Sequence, residues 1–206
     1  MITLILKIAE IKSRKQKVSF LFSITLLTVL CILSSAPCAA ETIETKYFSV
    51  SICDSCNLST FAEKINAKEL FRLDALSKNS SDIRSVIKEG IDSLFLEVCD
   101  ALNITLKSYR GSLVVYPDVV EVSKAASGNS QIIEASLPSL YIPSINTIYI
   151  SFNDATAGML AHEMAHAVIS TYFVVAPPTK VQEILAGYVE YSIRKRMGSL
   201  PERRLH

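Results

Sequence analysis

Two of the three histidines in this 206-residue chain lie four residues apart, at His162 and His166. Residues at that spacing share one face of an α-helix, so the two imidazoles can act together only if the segment is helical. The composition from Ala155 to about Thr171 favours a helix, and Asn153-Asp154 offers a capping side chain before it. We therefore predict a helix that carries both histidines. The alternative is a core helix in which this spacing arose by chance.

Paired imidazoles on one helical face can hold a metal ion, and neutral nitrogen ligands with an open tetrahedral position suit zinc. Glu163 follows the first histidine in the sequence His162-Glu-Met-Ala-His166. A carboxylate at this place can act as general base toward a metal-activated water. The metzincin class of zinc enzymes is excluded, because its glycine and third histidine would fall at Ile169 and Tyr172. A third ligand must come from another part of the chain.

After a break at Pro177-Pro178, we predict a last helix from Val181 to Met197. It contains Glu183-Ile-Leu-Ala-Gly-Tyr-Val-Glu-Tyr191, which begins seventeen residues after His166. This segment resembles the glutamate helix of the gluzincin zinc metallopeptidases, notably the peptidase MA-like group. The resemblance covers roughly residues 146 to 195. It implies one zinc ion per chain, held by His162, His166 and Glu183, with Glu163 as the catalytic base.

The chain departs from the gluzincin pattern in two ways. Ile184 replaces the usual glycine, and the Gly-Ala-Met-Glu-Asn segment of the classical aminopeptidases is absent, so aminopeptidase specificity is not implied. Glu190 lies seven residues after Glu183 and is a competing ligand. We interpret Glu190 instead as a carboxylate that supports the site from outside the ligand set.

The substrate cleft has two further candidate parts. The segment from Asn146 to Phe152 resembles the edge strand above a gluzincin cleft, where an extended peptide can pair through main-chain hydrogen bonds. A hydrogen-bond donor is also needed to stabilise a developing oxyanion. With no spare histidine in the chain, the candidates are Tyr149, Tyr172 and Tyr188, and the sequence does not choose between them.

The N-terminal residues have the composition of a secretory signal. An apolar run from Val18 to Leu33 follows a basic segment and precedes small residues up to Ala40. We predict cleavage after Ala40 and an exported protein, periplasmic or secreted. The alternative is an uncleaved N-terminal anchor, which is the one membrane contact that we predict. The chain has 21 Lys and Arg against 20 Asp and Glu, and this balance argues against nucleic acid as a partner.

The residues after the signal, 41–206, are enough for a single domain. We predict an α+β fold, with a small mixed or antiparallel sheet, helices packed on one side of it, and a catalytic core at about residues 110–206. Residues 123–131 are predicted to form a loop. The other predicted elements are strands at 47–53, 112–116, 132–137 and 146–152, and helices at 61–76 and from Ser81 or Asp82 to about Leu102. The segment Asn57-Leu-Ser-Thr is predicted to start the first of these helices. The second helix is predicted to carry an apolar stripe on one face, formed by Ile83, Val86, Ile87, Ile91, Leu94, Phe95 and Val98.

Three cysteines, Cys53, Cys56 and Cys99, belong to the exported part. In an oxidising compartment the simplest prediction is a structural disulfide, either within Cys53-Asp-Ser-Cys56 or from one of that pair to Cys99. One alternative is a zinc half-site, although the chain has no second cysteine pair nearby. Another is a thioredoxin-type redox pair, although no βαβ pattern surrounds it.

Together these features predict a zinc-dependent peptidase that acts on a peptide or protein substrate. The alternative function is an exported zinc-binding or inactive peptidase-like module without turnover. A membrane-embedded protease is disfavoured, because the predicted motif helix carries several polar residues.

Overall fold

The computed structural model describes residues 40–65, 82–127 and 137–198. The predicted signal sequence, most of the predicted strand at 132–137 and the later part of the helix predicted from Phe61 lie outside these ranges. Within them the fold is α+β, as predicted, with five strands and five α-helices. The elements are β1 (Ala40–Glu44), β2 (Phe48–Cys53), α1 (Leu58–Lys64), α2 (Ile83–Leu102), β3 (Gly111–Tyr116), α3 (Val119–Ser127), β4 (Ser139–Ile142), β5 (Thr147–Ser151), α4 (Ala157–Tyr172) and α5 (Thr179–Arg196).

The strands form one mixed sheet in the order β1-β2-β3-β5-β4. β2, β3 and β5 run parallel, whereas β1 and β4 pair antiparallel at the two edges. The predicted strand within 146–152 is confirmed as β5, but its placement at an edge was wrong. All five β5 residues are buried, because β3 and β4 pair with its two sides and both of its faces are covered. The edge strand is β4, a short segment between Pro138 and Pro143 that was not predicted from the sequence.

The main core lies between one face of the sheet and helices α2 and α4. α2 begins as predicted at Asp82, whose side chain accepts a hydrogen bond from the backbone N–H of Arg84, and it ends at Leu102. Its predicted apolar stripe is confirmed. The buried members are Ile87, Ile91, Leu94, Phe95 and Val98, which pack against inward-facing residues of the strands such as Leu113 and Ile150.

The opposite face of the sheet is covered by α3, so the prediction of helices on one side only was wrong. The predicted loop at 123–131 was also wrong as far as Ser127, where α3 ends. The Asp118 side chain caps the start of this helix by accepting hydrogen bonds from the N–H groups of Val120 and Glu121. Val122 and Ala126 are then buried against the sheet, and this packing outweighs the weak helix signal of a small, polar sequence.

The capping side chains of α1 and α4 test two predicted helix starts. Asn57 caps α1, as predicted, by accepting a hydrogen bond from the N–H of Thr60. The cap of α4 is Thr156 and not Asn153-Asp154, because the Asp154 carboxylate instead accepts a hydrogen bond from Ser151 Oγ. None of the described helices has both the length and the apolar character needed to span a bilayer.

Candidate metal centre

Helix α4 brings His162 and His166 together at the mouth of a cleft. Its apolar face, which includes Leu160, Met164 and Val168, is fully buried in the core. The two imidazoles are only partly buried, and their ring centroids lie 5.0 Å apart. The predicted helix thus places both rings on one side, where their Nε2 atoms are 3.2 Å apart.

Helix α5 supplies a carboxylate to this pair. Glu183 Oε2 lies 3.5 Å from His162 Nε2, and Glu183 Oε1 lies 3.5 Å from His166 Nε2. These three side chains form a group whose ligand atoms all lie within 4.8 Å of one another. They are therefore close enough to share one metal ion, and we call them the ligand trio. The fold thus brings together the three residues that were expected from the sequence to be ligands.

Small residues let α5 approach α4 closely enough for this contact. Ala186, one turn after Glu183, is fully buried between the helices. At the other end, a Cβ on Gly158 would lie only 2.7 Å from Cγ of Arg194, so a glycine is needed where Arg194 crosses the start of α4. The break at Pro177-Pro178 reverses the chain between the two helices, which are therefore antiparallel.

Glu190 is not part of the trio but contacts His162 at Nδ1, the ring nitrogen that does not face Glu183. Its Oε2 lies 3.2 Å from His162 Nδ1, and its Oε1 lies 3.4 Å from Nη1 of Arg194. With its proton on Nδ1, His162 donates to Glu190 and keeps its Nε2 lone pair toward His166 and Glu183. This arrangement agrees with the interpretation of Glu190 as a supporting carboxylate and disfavours it as a competing ligand.

Glu163 lies next to the trio in a buried environment. It is only 7% exposed, and its Oε1 accepts a 2.8 Å hydrogen bond from Ser139 Oγ on β4. Burial raises the pKa of Glu163 above its ordinary value, and the Ser139 hydrogen bond and nearby His162 oppose that rise. Burial likewise lowers the pKa of His166, which favours the neutral imidazole that a metal ion requires.

Gln182 and Tyr141 complete the surroundings of the trio. The Gln182 side chain lies beside His166, where it acts against the lowering of the His166 pKa by burial, and it donates a hydrogen bond to the carbonyl of Pro177 at 2.7 Å. Tyr141 lies on β4, and its hydroxyl donates to Asn146 Oδ1 at 3.0 Å. Ser139, Tyr141 and Gln182 were not predicted from the sequence. The prolines that bracket β4 were the available signal for the first two, since proline is tolerated beside an edge strand.

Two cavities meet at Glu163. One of about 460 Å³ contains the ligand trio and is lined by Tyr141 and Gln182 as well. The other, of about 620 Å³, extends toward Met159, Lys64 and Arg194. Ser139, His162 and Glu163 line both cavities, so the carboxylate and one candidate ligand lie at the centre of a continuous cleft.

The structure does not place the three predicted tyrosine donors in this cleft. Tyr149 is buried against Val122 and Ala126 under α3, on the face of the sheet opposite to α4, because neighbouring strand residues point to opposite faces. It is therefore not a donor to the site. Tyr172 and Tyr188 are more than half exposed and line neither cavity. The tyrosine beside the ligand trio is Tyr141.

The three cysteines lie away from the cleft. Cys53, Cys56 and Cys99 are all buried, and the Cys53 Sγ lies 2.8 Å from Ser55 Oγ. Burial raises the pKa of the Cys99 thiol to about 11. The disulfide among these residues stays a prediction.

Comparisons with protein-family models, with curated proteins and with solved structures find no match for this chain. The function must therefore be inferred from the site itself.

Proposed function

We propose that this chain is a zinc-dependent peptidase of the gluzincin type, with zinc held by His162, His166 and Glu183. The observation that carries the proposal is that the two Nε2 atoms lie 3.2 Å apart, with one Glu183 oxygen 3.5 Å from His162 Nε2 and the other 3.5 Å from His166 Nε2. A tetrahedral zinc ion with bonds of about 2.0 to 2.1 Å places neighbouring ligand atoms about 3.3 to 3.4 Å apart. The two imidazole nitrogens have about this spacing, and the Glu183 carboxylate lies beside both, where one of its oxygens can take a third corner.

The donor set also favours a catalytic site over a purely structural one. Structural zinc sites are usually closed by four protein ligands, whereas catalytic sites use three and keep one position open. Two histidines and one glutamate are a catalytic combination. When bound, zinc supplies Lewis acidity, which lowers the pKa of water at the open position and polarises the carbonyl of a substrate.

Glu163 is the residue that makes hydrolysis the better interpretation than zinc binding alone. Burying a carboxylate is unfavourable, and holding zinc does not require one beside the ligands. Its raised pKa suits a group that takes a proton from water and returns it to the leaving amine. Ser139 donates a hydrogen bond to Oε1 and so orients the carboxylate.

An extended peptide is the substrate that fits the surroundings. β4 is the edge of the sheet next to Glu163, and a peptide can add to such an edge through main-chain hydrogen bonds. The two cavities on either side of Glu163 can then take side chains from both sides of the cleaved bond. We propose Tyr141, which lines the trio's cavity, as the oxyanion donor, and its hydroxyl would exchange its hydrogen bond to Asn146 Oδ1 for one to the oxyanion. We further propose export of the protein by its N-terminal segment.

The proposal is tested by peptide hydrolysis with the full chain. We expect turnover of a broad peptide library that is lost with 1,10-phenanthroline and restored by zinc. Glu163→Gln is expected to retain zinc but to reduce kcat by several orders of magnitude. The exposed Glu89→Ala is the matched control and is expected to keep full activity. Hydrolysis that persists in Glu163→Gln would contradict the assigned base, and zinc without any turnover would favour the binding module.

A further inference from the structure

Helix α5 has a second apolar face, which points away from the protein. Its inner face consists of Ala186, Val189 and Ile193, all fully buried. On the outside, large apolar side chains recur at intervals of three, four and three residues, and all are at least 41% exposed. These four residues, Val181, Ile184, Tyr188 and Tyr191, are called the outer stripe here. A helix on the surface of a soluble domain normally presents polar residues on this side.

The loop between α4 and α5 extends the outer stripe. Val174 is 103% exposed and Val175 is 83% exposed, next to the exposed rings of Tyr172 and Phe173. The loop leads directly into the first turn of α5, which carries Val181. The four aromatic rings of the loop and stripe, each about half exposed, contribute roughly 300 to 500 Å² by themselves. With the aliphatic residues added, the patch exceeds the few hundred Å² usual for a monomer and indicates an interaction surface.

The charges around the patch distinguish between the partners that could cover it. Lys180 lies four residues before Ile184, and Lys195 lies four residues after Tyr191, so both share the outer face. Among the described residues, neither lysine has an ion-pair partner. The acidic residues of α5, Glu183 and Glu190, contact the imidazoles on another side. The outer face is therefore apolar with a cation at each end.

A second copy of this chain fits that pattern poorly. If two copies paired through their outer stripes in parallel, each lysine would face its own equivalent. If they paired antiparallel, Lys180 of each copy would face Lys195 of the other. Both arrangements bring like charges together without an acidic residue to separate them, and this is unfavourable.

We propose that the outer stripe and its loop dock on the surface of a lipid bilayer that contains anionic lipids. Val174 and Val175 would enter the acyl boundary, the two stripe tyrosines would lie at the headgroup level, and Lys180 and Lys195 would bind anionic headgroups. The apolar run at Val18 to Leu33 supports a membrane over other partners, because an export signal brings the chain to a bilayer. This inference does not depend on the proposed peptidase activity.

The chain contains no tryptophan, so a single introduced tryptophan reports on one surface only. We would place it at Val174 in the full-length chain and, as a matched control, at Val120. Val120 is also an exposed valine, at 58%, but it lies on α3 across the sheet. The probes are vesicles of phosphatidylglycerol mixed with phosphatidylcholine, with and without brominated acyl chains, and vesicles of pure phosphatidylcholine.

The expected result is a blue shift and bromine quenching of the tryptophan in Val174→Trp but not in Val120→Trp. At about 1 kcal/mol per lysine, adding Lys180→Gln and Lys195→Gln should weaken binding to the mixed vesicles about thirtyfold. Unchanged emission of Val174→Trp with vesicles would overturn the proposal. So would equal shifts at both positions, which indicate binding by another segment. A shift that grows with protein concentration without vesicles would assign the patch to a second copy.

Discussion

Replacing Glu190 by glutamine should weaken zinc binding although Glu190 is not a ligand. Loss of a carboxylate that orients a metal-binding histidine typically costs 10-fold to 100-fold in metal affinity. Here the contact from Oε2 to His162 Nδ1 is 3.2 Å, and the Glu190 side chain is 31% exposed. This is longer than a strong charge-assisted hydrogen bond and is partly screened by solvent. We therefore expect the low end of this range, an increase of about tenfold in the Kd for zinc, or about 1.4 kcal/mol.

The assay is a competitive zinc titration against a chromophoric chelator at fixed pH. Arg194→Gln is the matched control, because it removes the group bound to Glu190 Oε1 and leaves the His162 contact in place. We expect its zinc affinity to stay within about twofold of the wild type, because it leaves the histidine-orienting contact intact. An unchanged Kd in Glu190→Gln, or an equal loss in both variants, would refute the positioning role of Glu190.

Three further predictions concern the fold. Leu94→Ala should lower the free energy of unfolding, measured in urea, by about 2 to 5 kcal/mol, because Leu94 is only 1% exposed. Leu96→Ala on the same helix should change it by less than about 0.5 kcal/mol, because Leu96 is 49% exposed. Equal effects would show that α2 is packed differently. Asn103 and Asn146 both have positive φ, but glycine should be tolerated only at 103. Asn146→Gly should lower the free energy of unfolding by about 1 to 3 kcal/mol, because the Asn146 amide makes hydrogen bonds to Tyr109, Arg110 and Tyr141. Similar urea midpoints for the two variants would contradict this. The raised pKa of the Cys99 thiol leaves little thiolate at neutral pH. Cys99 should therefore react with iodoacetamide only after denaturation, as measured by mass spectrometry. Failure to react in denaturant without reductant would show that Cys99 is in a disulfide.

The sequence predicted the parts of this structure that depend on local pattern. The α2 stripe repeats with the helical period, so its buried face could be predicted without knowledge of its partner. The spacing of His162 and His166 likewise requires a helix. The position of Glu183 was predicted by resemblance to a glutamate helix, and the fold brings it to the histidines because Pro177-Pro178 and the small residues Gly158 and Ala186 permit a close antiparallel crossing.

The errors concern features that depend on distant contacts. β5 was expected at an edge because its own sequence does not reveal that β4 pairs beyond it. The second half of α3 has little helical signal, and its helix is stabilised by burial of Val122 and Ala126 against the sheet. Tyr149 was a candidate donor because the sequence does not show which face of the sheet its side chain occupies. Ser139 was missed because its role arises only where the edge strand meets Glu163.

The most direct test of the proposed zinc centre is zinc X-ray absorption spectroscopy on the purified full chain, with metal content measured on the same samples. We expect one zinc per chain, with nitrogen and oxygen neighbours at about 2.0 to 2.1 Å, and loss of that zinc in Glu183→Ala but not in Glu89→Ala. Absence of zinc, a sulfur shell at about 2.3 Å from cysteine ligands, or full zinc content in Glu183→Ala would contradict a metal centre built from His162, His166 and Glu183.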